Sequence, residues 1–260
     1  MALVVLVANQ KGGVGKTTTA VNLATALAAI KRRVLLIDLD PQSNATSGLG
    51  IYSSKLGSTY ELLIQTRNLS EIMLTTDIPG LTLVPSNVNL IGAEIELVQV
   101  PDREKILKKS IEPYRDMFDY IIIDSPPSMG ILTLNGLVTA NGVLAPLQCE
   151  YYAMEGLNQL VNSIKRVRSV LNPGLRIFGV LLTMYDKRNA LSLSVENDAR
   201  EMLGEKVFNT IIPRNVKISE SPSYGKPVLI YDVKSVGSRS YMELAREFLE
   251  KERKYGWRKN

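Results

Sequence analysis

The chain has 260 residues, 45% hydrophobic and 22% charged, enough to bury one large α/β core without covalent staples. Its single cysteine, Cys149, and its lack of histidine exclude a disulfide framework, a cysteine-ligated zinc or iron–sulfur centre, and histidine acid–base chemistry. The net charge of +5 is uneven: residues 1–160 hold 12 Lys and Arg against 15 Asp and Glu, and residues 161–260 hold 19 against 11. The C-terminal part is therefore the one that would face a polyanion, either nucleic acid or an acidic membrane, unless it is simply a solvated surface.

In chain order, the apolar run Leu3–Ala8 predicts a buried strand, followed by a glycine loop and a helix over Thr18–Ile30. Strands are then expected at Val34–Asp38 and Leu81–Val84, a helix at Asp102–Tyr114, a strand at Tyr120–Asp124 and a helix at Gly130–Ala140. Next come strand Gly142–Leu147, helix Glu155–Leu171, strand Arg176–Thr183, helix Leu191–Leu203, strand Val207–Ile212 and a last helix from Ser238 to about Lys254. Strands alternating with helices predict an α/β fold with a doubly wound, mostly parallel sheet covered on both faces. No repeat, low-complexity segment or long linker divides the chain, so one domain over residues 1–260 is expected, with 251–260 a flexible basic tail. There is no signal-like leader and no apolar stretch of the ~18 residues that a membrane span needs, so a cytoplasmic location is expected.

Lys11-Gly12-Gly13-Val14-Gly15-Lys16-Thr17 sits between the first strand and the first helix, which is the context a phosphate-binding loop requires. Glycines let backbone N–H groups turn inward on an anion, and the helix N-terminus adds partial positive charge. Lys16 is expected to reach the β- and γ-phosphates, and the Thr17 hydroxyl to bind Mg²⁺. The loop therefore predicts a bound nucleoside triphosphate. It departs from the usual pattern in one respect: Gln10 stands where glycine is usual, and a second lysine, Lys11, follows. Two more polar clusters, Asp38-Leu39-Asp40-Pro41-Gln42 and Asp124-Ser125-Pro126-Pro127, end strands of the same sheet, where ligands of such folds collect.

Together these three segments resemble the deviant Walker A ATPases of the ParA/MinD superfamily, which have the P-loop NTPase fold. Asn44–Gly50, Gln148–Tyr152 and Ile212–Val216 are similar to the small chromosomal ParA (Soj) proteins, and the resemblance runs almost to Lys251. It implies an ATPase that turns ATP and water into ADP and phosphate, slowly alone and faster with a ParB-like centromere-binding partner. Lys11 matches the signature lysine that crosses a dimer interface to the partner's nucleotide, with Gly12 and Gly13 permitting close approach of the two loops. Asp40 matches the water-positioning switch residue, so Lys11, Lys16 and Asp40 are the expected catalytic set. Asp124 matches the Walker B carboxylate at the metal, with Asp38 supporting the metal shell beside Thr17. Thr18 is expected at the α-phosphate, and Pro213 and Asn215 at the adenine, completing a nucleotide site of Lys11, Gly12, Gly13, Val14, Gly15, Lys16, Thr17 and Thr18.

The same resemblance places Arg188, Arg214 and Lys217 among positions that contact DNA, with Lys226 nearby. It implies nonspecific, salt-sensitive phosphate contacts to double-stranded DNA, switched on by an ATP-dependent homodimer that is nucleoid-associated when ATP-bound. The competing class is a MinD-like membrane-cycling ATPase carrying a C-terminal amphipathic segment. Glu243, Glu247, Glu250 and Glu252 make the last helix a poor ligand for anionic lipid, and its Leu244 and Phe248 stripe reads as packing onto the sheet. Lys251–Lys259, with Trp257, is expected to be a frayed, solvated tail, so membrane binding is not expected.

Overall fold

A computed structural model describes residues 1–52 and 54–257. In chain order the elements are β1 (Leu3–Val7), α1 (Lys16–Ala29), β2 (Val34–Asp38), α2 (Asn44–Ser47), α3 (Thr59–Leu63), α4 (Leu69–Ile72), β3 (Leu74–Thr75), β4 (Leu81–Val84), α5 (Leu90–Glu96) and α6 (Ile106–Ile111). They continue with β5 (Tyr120–Asp124), α7 (Ile131–Thr139), β6 (Gly142–Gln148), α8 (Ala153–Val170), β7 (Arg176–Thr183), α9 (Ala190–Leu203), α10 (Val216–Glu220), α11 (Val228–Tyr231) and α12 (Val236–Lys254). The sheet order is β3-β4-β2-β5-β1-β6-β7, parallel throughout except for β3, which pairs antiparallel with β4. The expected doubly wound α/β sheet is present.

Strands β1, β2 and β5 are buried along their whole length, and the alternation of their side chains feeds two cores. Val4, Leu6, Leu35, Ile37, Ile121 and Ile123 face a core shared with α7 and α8. Leu3, Val5, Val7, Val34, Leu36 and Ile122 face the other, shared with α1 and α12. The register opposes Val7 to Asp124 and Asp38 to Asp124, so the glycine loop and both carboxylates leave the sheet at one edge.

Three expectations need correction. Val207–Ile212 is not a strand. Phe208 and Ile212 donate backbone hydrogen bonds to Val180 and Leu182 of β7 at 2.9 Å each, but the N–H groups of Asn209 and Thr210 turn to the Glu247 carboxylate at 2.7 Å each. That carboxylate from α12 replaces the ladder, leaving isolated bridges Val180–Val207 and Tyr185–Pro213. The single helix expected over Asp102–Tyr114 is three pieces: α6 flanked by 3₁₀ turns at Arg103–Lys105 and Glu112–Met117. Pro113 lacks an N–H for a continuous α-helical ladder, and the Asn135 side chain accepts from Leu107 N–H at 3.0 Å near the N-terminus of α6.

The third concerns the tail. Helix α12 runs on to Lys254, and the Trp257 ring is buried against Phe178, with ring centroids 4.9 Å apart, under the Arg176 guanidinium at 4.2 Å. A Cβ on Gly142 would sit 2.9 Å from that indole, so the glycine is what lets β6 receive the ring. From Lys251 to Trp257 the chain is therefore helix and packed turn, not a frayed, solvated tail; Arg258, Lys259 and Asn260 lie outside the described residues. Trp257→Ala is expected to lower unfolding stability by about 3 kcal/mol, the scale of a buried aromatic truncation. A urea midpoint equal to that of the unaltered chain would show that the ring contributes nothing to the core.

Candidate nucleotide-binding site

The loop between β1 and α1 is held from below. Asn9 donates its side-chain amide to Pro146 O at 2.7 Å and accepts Lys11 N–H at 3.1 Å. The Thr183 hydroxyl donates to Val14 O at 2.8 Å, and the Ser125 hydroxyl to Val7 O at 2.9 Å. Gly13 and Gly15 adopt φ of +74° and +85°, a region that side-chain-bearing residues seldom enter. A Cβ on Gly12 or Gly13 would meet no atom within 4 Å, so this part of the loop faces open space.

Lys16 is buried and donates its ammonium to Lys11 O at 3.0 Å across the mouth of the loop. Burial pushes its pKa down, while the charges of Asp124 and Asp40 oppose that shift. The lysine thus belongs to one electrostatic group with both carboxylates. A triphosphate entering here meets a pre-placed cation and the free N–H groups of the α1 N-terminus.

Asp124 is fully buried and neither carboxylate oxygen accepts a hydrogen bond. Burial raises its pKa well above the usual range, and Asp38 and Asp40 add repulsion. The Thr17 hydroxyl and the Lys16 charge oppose the rise, although the hydroxyl stops short of a bond with good geometry. A buried carboxylate without donors is costly unless a cation answers it. The donor set fits Mg²⁺: hard oxygens from Thr17 and Asp124, completed by phosphate oxygens and water. Among the described residues no cluster of three or more His, Cys, Asp or Glu side chains could hold a metal. When bound, the ion neutralises charge that builds on the phosphates.

Asp38 lies beside Asp124 but its oxygens are occupied. Oδ2 accepts from Thr46 N–H at 2.9 Å and the Thr46 hydroxyl at 2.6 Å, and Oδ1 accepts from Asp40 N–H at 3.1 Å. Burial pushes its carboxyl up to about 6 against those hydrogen bonds. Thr46 in turn accepts Ser86 N–H at 2.9 Å, and Thr59 donates its hydroxyl to Asp38 O at 2.6 Å. Asp38 is thus tied into the loop that carries Asp40, a support more than a metal ligand. Asp40 accepts Gln42 N–H on Oδ1 at 2.9 Å, and among the described residues no hydrogen-bond donor reaches its Oδ2.

Lys11 does not point into empty space. Its ammonium pairs with Glu150 Oε2 at 2.9 Å, both side chains partly exposed. The sequence offered no reason to pair residues 139 apart, nor to single out Thr46, Ser86 and Thr59. Pro213 bridges Tyr185 just past β7, and Asn215 accepts Ile218 N–H at 3.3 Å to cap α10. That loop lies beside the strand end from which Thr183 holds Val14. Thr18 is half-buried on the first turn of α1.

The cations expected at DNA are dispersed. Arg188 and Arg214 line one surface hollow of 660 Å³ with Lys187, and Lys217 stands apart on α10. Arg188 is forked onto Asp186 at 3.0 and 2.8 Å, and Lys217 pairs with Glu220 at 3.0 Å. The Arg188 fork and N–H hold Asp186 at about 2. Exposed pairs of this kind are weak enough to be exchanged for phosphate. Cys149 is buried, and burial pushes its thiol up to about 12, which makes it a packing group.

Loop, cation and paired carboxylates on a parallel sheet define a P-loop nucleotide-binding protein that takes ATP with Mg²⁺. Residues 2–177 match the AAA domain family. The chain is 51% identical over 253 residues to the chromosome partitioning protein ParA of Caulobacter vibrioides NA1000, covering 96% of this chain and 95% of that protein. It is 48% identical over 248 residues to the sporulation initiation inhibitor protein Soj of Bacillus subtilis 168, covering 95% and 98%. A solved structure called cobyrinic acid a,c-diamide synthase, from Mycobacterium smegmatis with bound ATP analog and magnesium, superposes with TM-score 0.85 at 40% identity, over 98% of this chain and 97% of that one. The chain belongs to the ParA/MinD superfamily of deviant Walker A ATPases, in its small chromosomal ParA (Soj) branch. Among the described residues no helix is long and apolar enough to cross a membrane.

Proposed function

We propose that this protein is an ATP-driven switch for partitioning chromosome or plasmid DNA. ATP binding brings two copies face to face, the dimer holds double-stranded DNA without regard to sequence, and hydrolysis stimulated by a ParB-like partner releases it. The protein is cytoplasmic in this reading, and nucleoid-associated while ATP is bound. The observation that carries the ATPase step is the donor-free Asp124 carboxylate beside Lys16 and Asp40. One buried cluster there supplies the Mg²⁺ carboxylate, the phosphate cation and a free oxygen for the attacking water. Asp40 Oδ2 orients that water toward the γ-phosphorus; the water oxygen bonds to phosphorus as the bond to the β–γ bridging oxygen breaks, the water's proton passes to the released phosphate, and ADP leaves.

Dimer formation is supported by Gly12 and Gly13 facing open space, which leaves room for a second loop. Lys11 then exchanges Glu150 for the partner's phosphates, a stronger anion in a drier setting. Burial of Trp257 removes the apolar group that a membrane-seeking tail would offer, which favours DNA over lipid. Lys11→Ala is expected to leave single-chain ATP affinity within about threefold but to weaken ATP-driven dimerisation by about 30-fold or more, the scale of a lost buried charge contact. Light scattering with ATP and with ADP reads this directly, and an unchanged dimerisation constant would remove Lys11 from the interface.

A further inference from the structure

At the pole of the molecule away from the nucleotide loop, a cavity of 920 Å³ opens between the C-terminal end of α1, the turn before β4, and helices α11 and α12. The length of α1, about 20 Å, separates it from the phosphate site. Its floor is apolar: Ala29, Ile78, Pro79, Ile230, Val233 and Met242. Ile230 and Val233 are 55% and 72% exposed, which costs free energy that a partner would recover. Its two walls are cationic. Lys31, Arg32 and Arg33 stand on the α1–β2 side and Arg239 and Arg246 on α12, with Glu243 the one acid among the lining residues. Arg33 is paired with Asp119, but among the described residues Lys31, Arg32 and Arg246 form no salt bridge. The dipole of α1 accounts for Lys31 to Arg33 at its C-terminal end. It accounts neither for the facing arginines of α12 nor for the exposed floor.

We propose that this groove docks an acidic amphipathic helix of a partner protein. The charge pattern specifies the occupant: an apolar stripe at i, i+3, i+4 and i+7 for the floor, with Asp or Glu on both flanks for the two walls. DNA would satisfy the walls but not the floor. A bilayer presents no acids at fixed spacing to meet two facing cationic walls, which a folded helix does. The chain's own residues 251–260 carry net positive charge in the sequence and would be repelled by the walls. The groove is separate from the ATP site, so its occupancy stands or falls independently of the partitioning switch.

The test is selection of helix-forming peptides from an unbiased displayed library against the full-length protein, followed by fluorescence anisotropy on the enriched peptides. The expected binders are acidic, carry the spaced apolar stripe, and bind Lys16→Ala as well as the unaltered chain. Both Arg32 and Arg246 are exposed, so the Arg32→Glu/Arg246→Glu double variant should keep its melting temperature while weakening those binders about tenfold or more. Val233→Asp should weaken them through the floor. The proposal is overturned if no acidic helix is enriched, if neither variant changes affinity, or if phosphatidylglycerol vesicles bind the groove in place of the peptides.

Discussion

Lys16→Ala is expected to abolish ATP binding at physiological concentrations, with affinity falling by about 10²-fold or more. The size of the loss comes from the setting. Lys16 is buried, and a charge-assisted contact to a desolvated phosphate is worth about 2–5 kcal/mol when one partner is truncated. Removing it also leaves Asp124 and Asp40 without the cation that offsets them. Burial disfavours the charged ammonium while Asp124 and Asp40 favour it, so the folding of the variant is verified alongside its affinity. Isothermal titration with ATP and Mg²⁺ measures the loss. A folded variant that still binds ATP normally would show that this loop does not cradle the phosphates.

Asp40→Ala is expected to separate binding from turnover. Asp40 sits in a loop pinned by Asp38, Thr46 and Thr59, with Gln42 N–H occupying only one of its oxygens. Losing the group proposed to orient the water should lower kcat by about 10²- to 10⁴-fold, the range of a general acid–base contribution. ATP affinity should stay within about threefold, because in the proposed site phosphate binding rests on Lys16 and the loop amides. The substitution should thus trap the ATP-bound form, retained on nonspecific DNA at low salt. Single-turnover hydrolysis with excess protein reads the chemical step alone. A rate equal to that of the unaltered chain would assign the water to another group.

Much of this site is legible in the sequence because each part is local. A strand of continuous apolar residues, a glycine loop and a helix place Lys16 and Thr17 with no knowledge of the rest of the chain. Asp38 and Asp124 can each be read as strand ends. Their side-by-side placement comes from the sheet register, which is set by the whole order of strands. What escapes the sequence is non-local. Glu150 meets Lys11 because the end of β6 lies beside the end of β1, and no spacing rule encodes that pair. Thr46 looks like an ordinary helix residue until it is seen to take both the Asp38 carboxylate and Ser86 N–H.

The apolar run Val207–Ile212 has the composition of a strand, but Glu247 from α12 takes the N–H groups that a ladder would need. Trp257 likewise comes after a run of charges that reads as solvated. Its burial depends on Gly142, in β6, and on Phe178, in β7. In both places tertiary contacts override local composition, the usual limit of propensity.

Paired assembly around ATP is the step on which the proposed switch depends, and the mass of Asp40→Ala in solution tests it most directly. Sedimentation equilibrium with saturating ATP and Mg²⁺ should give twice the mass of the chain, and the mass of one chain with ADP. A single-chain mass under both nucleotides, at concentrations where ATP binding is complete, would contradict the account.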